Sequence, residues 1–128
     1  MVIFDQSAVI PYRKTSEGIE IMLVSTKEGN WTIPKGTIAT GLSPRKSAAK
    51  EALEEAGIEG KVKKGNVGIY TYNKQGDNYC VKVYKMKVKK IHKKWDEQHI
   101  RERVWVDLDS ISKFIKYKNL LTIIKSAF

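Results

Sequence analysis

The sequence predicts an α+β domain, with helices packed on a mostly antiparallel or mixed β-sheet. Three observations carry that expectation. Val-, Ile- and aromatic-rich runs come in pairs around turn signals, one well-capped helix separates two such pairs, and the tail returns to helical spacing. Regular alternation of strand and helix is absent, so a purely parallel sheet is not expected.

The first pair is "SAVIPYR" and "IEIMLVST", joined by the turn-like "KTSEG". "KEGN" reads as a loop before "WTIP". Ser43 and Pro44 then form a helix start, with Ser as N-cap and Pro at the first helical position. "RKSAAKEALEEA" continues with strong helix formers, and Gly57 stands where a helix C-terminus ends. The second pair is "KVKKGNVGIYTY" and "NYCVKVYKMKVKKI" around "NKQGD". In its second member Tyr84, Met86 and Val88 alternate with Lys85, Lys87 and Lys89, the period of a strand with one wet face. "HKKWDEQHIRE" is a polar connection to the short strand "RVWV". The tail "DSISKFIKYKNLLTIIKSAF" has helical spacing in two segments around Tyr117.

A length of 128 residues, 41% of them hydrophobic, suits one domain, residues 1–128, with its own core. The single cysteine, Cys80, excludes an internal disulfide and a Cys-rich metal site, and points to a reducing, cytoplasmic compartment. A signal peptide and a membrane-spanning run are both missing, so no membrane partner is expected. The formal net charge of +10 favours capture of polyanions.

Against that basic background Glu51, Glu54 and Glu55 fall within an arc of roughly 100° on the predicted helix. Ala49, Ala52, Leu53 and Ala56 occupy another arc and are expected to face the sheet. Acids in the last turns oppose the helix dipole, and Glu51–Glu55 and Glu55–Glu59 are like-charged i,i+4 pairs. A divalent cation reverses that penalty, because Mg²⁺ takes carboxylate oxygens together with substrate phosphates. A solvated acidic face is the competing account.

The segment from Gly36 to Ile58 resembles the Nudix box, G-x5-E-x7-R-E-U-x-E-E-x-G-U, with U a bulky aliphatic residue. Gly36 opens it, and Glu51, Glu54, Glu55, Gly57 and Ile58 close it in register, preceded by "WTIPKG". Leu42, Lys50 and Ala52 depart from the pattern, standing at its first Glu, its Arg and its first aliphatic position. The resemblance implies an α/β/α sandwich with a mixed sheet, and a hydrolase of phosphoanhydrides that uses Mg²⁺ or Mn²⁺. It further implies metal ligation by Glu51, Glu55 and the Lys35 backbone carbonyl. Glu54 is the implied general base, with Glu97 and Glu102 as rivals.

Outside the box, "IMLVSTKEGNWTIPKG", "EEAGIEGKV" and "WDEQHIRERVWVDLD" are similar to the diadenosine polyphosphate and diphosphoinositol polyphosphate hydrolase branch. Arg101, Arg103, Lys27 and Lys35 are candidates to hold substrate phosphates. Inositol-binding members of that branch carry further basic residues near the N-terminus, and this sequence has none before Arg13, so the resemblance implies a dinucleoside polyphosphate ahead of an inositol substrate. Pyrophosphate removal from RNA 5′ ends and nucleoside triphosphate hydrolysis are related alternatives. A different class of function is a nucleic-acid-binding module using the lysines from Lys82 to Lys90, so RNA is a possible partner. The expected assembly is a monomer or a homodimer.

His92 and His99, seven residues apart and without Cys partners, read as surface histidines. Trp31 and Trp105 are expected in the core, and Trp95, in a polar loop, is the candidate base-stacking platform. Cys80 is read as packing, while Tyr70 and Tyr72 share strand parity and are expected in the core or lining a cleft.

Overall fold

The computed structural model describes residues 3–128. Eight strands belong to one sheet: β1 (Ile3–Thr15), β2 (Gly18–Ser25), β3 (Trp31–Thr32), β4 (Lys35–Thr37), β5 (Ile58–Val62), β6 (Gly68–Lys74), β7 (Asp77–Ile91) and β8 (Arg103–Asp107). Helix α1 (Pro44–Ala56) lies between β4 and β5; a 3-10 helix (Leu108–Lys113) and α2 (Lys118–Ser126) follow β8. The sheet is mixed, as expected. β1 and β7 run parallel from Ile3↔Asn78 to Tyr12↔Lys87, and every other pairing is antiparallel.

Alternation along the central strands feeds two cores. Ala8, Ile10 and Tyr12 of β1, Ile21 and Leu23 of β2, and Val81 and Val83 of β7 pack with Leu120 and Ile124 of α2. The neighbours Val9, Met22, Val24, Tyr84 and Met86 point to the opposite face and meet Ala48, Ala52 and Ala56 of α1. Period-two side-chain direction makes both faces of the same strands apolar, which produces the helix–sheet–helix sandwich.

Three local expectations change. "KVKKGNVGIYTY" is not one strand: β5 pairs with the far half of β7 and β6 with its near half, across a connection at residues 63–67. The expected wet face of β7 is incomplete, because Lys85 lies half-buried and donates to the Ala127 carbonyl at 2.7 Å. On α1 the buried face is Ala48, Ala52 and Ala56, whereas Leu53 is exposed. Alanines allow the helix to approach the sheet closely and rotate the larger leucine outward.

Candidate active site

Helix α1 is specified at both ends. Ser43 accepts a hydrogen bond from the Lys46 amide at 3.2 Å, and Pro44 occupies the first turn. Gly57 ends the helix at φ 64°, a left-handed conformation that glycine adopts without strain, and its amide reaches Leu53 and Ala52 carbonyls. Two further side chains fasten that end. Arg103 donates to the carbonyls of Ala56 and His92, each at 2.7 Å, and lies 3.8 Å over the Trp95 ring. Trp95 donates from Nε1 to the Glu55 carbonyl at 3.0 Å.

Those contacts differ from the roles expected of Arg103 and Trp95. The Arg103 guanidinium is directed at main-chain oxygens and at an indole face rather than into a cleft. One face of Trp95 is covered by that guanidinium and its edge is tied to α1. Both residues answer the unsatisfied carbonyls of a helix end, a need not visible in local sequence.

The secured helix brings its acids to the sheet. Glu55 is only 4% exposed and accepts from the Lys35 amide at 3.4 Å. Glu51 is half-buried and packs on Gly36, where any β-carbon would collide with its carboxyl group. A side chain at position 36 would displace that carboxyl group, so Gly36 leaves the room in which Glu51 lies against the main chain. Burial pushes the Glu55 carboxyl up to about 8, against the opposing pull of Arg101 and with added repulsion from Glu51. Burial also raises Glu51, helped by the charge of Glu54. Two carboxylates that resist simultaneous ionisation, beside a main-chain segment kept free of side-chain bulk, offer hard oxygen donors to a divalent cation. The donor set fits Mg²⁺ or Mn²⁺.

Glu54 is half-buried, ion-paired with Lys50 at 3.2 Å, and grouped with Asp96 and Glu97 so that ligand oxygens lie within 4.8 Å of one another. The Glu97 amide also donates to the Glu54 carbonyl at 3.0 Å. Asp96 is the acidic neighbour that sequence reading missed; its only signal was adjacency to Glu97 in "WDEQ". Glu102 is exposed, and its main chain brackets Ser25 through two hydrogen bonds. Lys50 turns to Glu54, while Leu42 is 36% exposed on the surface.

Arg101 stands between the acids and open space. It donates from Nε to Glu97 at 2.8 Å and from Nη1 to the Ser25 carbonyl at 2.9 Å, and its Nη2 lies 3.6 Å from Glu55. With Lys27, Lys35 and Lys74 it lines a cleft of about 190 Å³. A second cleft of about 320 Å³ shares Thr26, Glu28, Lys35 and Lys74 with the first, and Trp31, Tyr70, Tyr72 and Tyr117 supply its aromatic walls. Lys35 links the halves: its amine lies 5.5 Å over Tyr72, and burial lowers its pKa although Glu55 opposes the change. Trp31, expected in the core, thus packs against the core and also lines the cleft. Trp105 packs on the α1 side beneath Arg13. His92 pairs with Glu59 at 2.7 Å, and His99 is exposed. Cys80 is half-buried in β7.

An α/β/α sandwich whose capped helix presents clustered carboxylates beside a cationic and aromatic groove defines the class. The chain belongs to the Nudix family: the NUDIX domain model matches residues 5–125. It is 32% identical over 110 residues to Nudix hydrolase 18, mitochondrial, of Arabidopsis thaliana, covering 78% of this chain and 62% of that one. It is 29% identical over 115 residues to diphosphoinositol polyphosphate phosphohydrolase 2 of Rattus norvegicus, covering 87% and 62%. The match therefore spans less than two thirds of either relative's length. Among solved structures, the C. elegans Ap4A hydrolase superposes with a TM-score of 0.76 at 21% identity, covering 99% of this chain and 98% of that one. The MutT protein from Methanosarcina mazei Go1 gives 0.77 at 19% identity, covering 97% and 91%. At those identities the likeness is one of fold.

Proposed function

We propose that the protein is a metal-dependent pyrophosphohydrolase acting on dinucleoside polyphosphates. The observation that carries this reading is the continuity of the groove. Its cationic part, with Lys27, Lys35, Lys74 and Arg101, the last of which lies 3.6 Å from Glu55, runs into a part walled by Trp31, Tyr70, Tyr72 and Tyr117. Lysine and arginine donors suit phosphate oxygens, and flat aromatic walls suit a nucleobase. An inositol ring offers no π-face for those walls, so a nucleoside-bearing substrate is favoured over a diphosphoinositol polyphosphate.

In this reading Glu51, Glu55 and the Lys35 carbonyl hold the cation. When bound, Mg²⁺ or Mn²⁺ supplies Lewis-acid polarisation of phosphoryl oxygens and a water of lowered pKa. Glu54 accepts the proton of the attacking water, with Lys50 beside it offsetting part of its charge. Glu97 is the stronger rival base, since its carboxylate belongs to the Glu54 group, whereas Glu102 is exposed. Arg101 holds Glu97 and faces Glu55, so it positions the acids while its exposed edge meets phosphate. Arg103 acts on the helix end instead.

The test is product release from diadenosine polyphosphates, a diphosphoinositol polyphosphate, nucleoside triphosphates and 5′-triphosphate RNA, with and without Mg²⁺, for wild type and Glu54→Gln. Metal-dependent turnover of the diadenosine compounds that the substitution abolishes is the expected result. Turnover that survives moves the base to Glu97, and preference for the inositol compound overturns the substrate assignment. The lone thiol Cys80 supports a reducing compartment, the cytoplasm, checked by imaging a tagged chain beside a mitochondrial marker.

A further inference from the structure

On the face of the sheet that carries α2, a field of lysines lies at the end of that helix remote from the groove. The register sets it out. Lys61 of β5 stands directly opposite Lys87 of β7, and the Lys63 amide bonds the Lys85 carbonyl at 3.0 Å, continuing the same ladder. Parallel pairing puts Ile10 beside Lys85 and Tyr12 beside Lys87, which assigns those lysines to the α2 side. The charges of Lys63 and Lys14 both lower the pKa of Lys85, behind the larger effect of its burial, so all three are neighbours. Lys14, Lys61, Lys63 and Lys87 are exposed, and none of the five forms an ion pair among the described residues. From Val81 to Ile91, β7 contains no acidic residue.

Like charges directly opposite each other in a sheet oppose pairing. Edge protection does not explain them. β5 is the outer strand, and its Lys61 with Lys63 just beyond it would blunt the edge, yet Lys85 and Lys87 meet them from the inner strand. Residues two apart along a strand are separated by about 6.8 Å, and neighbouring strands by about 4.8 Å. Lys85 and Lys87 facing Lys63 and Lys61 therefore form a double row of cations. Its pitch is close to that of successive phosphates on an extended polynucleotide. A row along a strand suits a linear polyanion better than the lateral spread of a lipid surface.

We propose that Lys14, Lys61, Lys63, Lys85 and Lys87 form a binding surface for the phosphodiester backbone of a single-stranded nucleic acid, separate from the hydrolytic groove. Helix α2 relates the two places. Tyr117 at its N-terminus lines the groove and Ala127 at its C-terminus accepts from Lys85, so the nine-residue helix spans about 14 Å between them. The surface is an electrostatic track, and binding to it is independent of base sequence.

The test uses a fluorescent single-stranded RNA with a 5′-hydroxyl end, which carries no phosphoanhydride for the groove. Affinity is measured from 0.05 to 0.4 M salt for wild type, for Lys61→Gln/Lys87→Gln, and for a charge-matched control, Lys46→Gln/Lys113→Gln. Loss of two contacts is expected to reduce the slope of log K against log salt by about 1.4 and to weaken binding on the order of 20-fold at 0.1 M salt. The control should retain the wild-type slope. Hydrolysis of a diadenosine polyphosphate should be unchanged in both variants. Removing a repelling pair should leave the thermal midpoint equal or higher, which keeps folding out of the comparison. Equal loss in the control, an unchanged slope in Lys61→Gln/Lys87→Gln, or tighter binding to anionic phosphatidylserine vesicles than to RNA would each overturn the proposal.

Discussion

Helix α1 meets the sheet through alanines, whereas α2 meets the opposite face through Leu120 and Ile124. The two helices are held in different ways. A contact made of methyl groups buries little apolar area, so α1 depends on Ser43, Gly57, Arg103 and Trp95 at its ends. In α2 the N-cap Tyr117 makes no side-chain cap bond, and burial of branched residues does the work. End-fastening leaves the flank of α1 available for carboxylates whose mutual repulsion a packed helix would not tolerate. The acid-bearing helix is thus secured by directional bonds and the supporting helix by buried area.

The sharpest break in this contrast is Glu54→Gln. Turnover is expected to fall by about 10²–10⁴-fold, the range typical for loss of a general base, with the unfolding midpoint nearly unchanged. Ile124→Ala should do the reverse. It should cost about 3 kcal/mol in urea unfolding while preserving turnover per folded molecule, because the lost branch lies in the α2 core.

The acids also make a pH prediction. Glu55 titrates at about 8 in the folded protein against 4.5 as its ordinary value. Between those values the native state holds a proton that the unfolded chain has released, so raising pH strips it at a cost. The Glu55 contribution to metal-free stability is therefore complete below about pH 4.5 and is lost as pH rises through about 8, by on the order of 5 kcal/mol, and Glu51 adds in the same direction. Urea midpoints in EDTA from pH 5 to 8.5 should decline steeply for wild type and only shallowly for Glu55→Gln, which keeps the Glu51 contribution. Mg²⁺ at pH 8 should recover the loss.

Smaller effects sharpen the account of the helix ends. Arg103→Ala leaves the Ala56 and His92 carbonyls without their donors and should destabilise by about 2 kcal/mol, with Lys a poor replacement because it cannot reach both oxygens as a fork. Ser43→Ala removes one N-cap bond and should cost about 1 kcal/mol in the same measurement.

Much of the fold was legible because its signals are local. Ser43, Pro44 and Gly57 mark both ends of α1, the hairpin turns fall where Gly and polar residues cluster, and the tail divides at Tyr117. The break between β5 and β6 carries a local signal in Gly65 and Asn66, but only the pairing of both strands with one long partner, β7, shows that the chain changes strand there. Within the site, the arc of Glu51, Glu54 and Glu55 follows from helix period alone. Arg103 and Trp95 could not be assigned from sequence, since a guanidinium aimed at phosphate and one aimed at a carbonyl have the same residue name.

Order along the chain determined the elements, the capped acidic helix, the excess of cations and the family, because propensity, capping and spacing act over a few residues. Tertiary structure decided which carboxylate is buried, which arginine answers a helix end, and how β6 and the loop after β2 bring Tyr70, Tyr72 and Trp31 beside Lys35. Those outcomes depend on solvent exclusion and on the direction of donors across the sheet, and both arise only when segments distant in sequence are packed together.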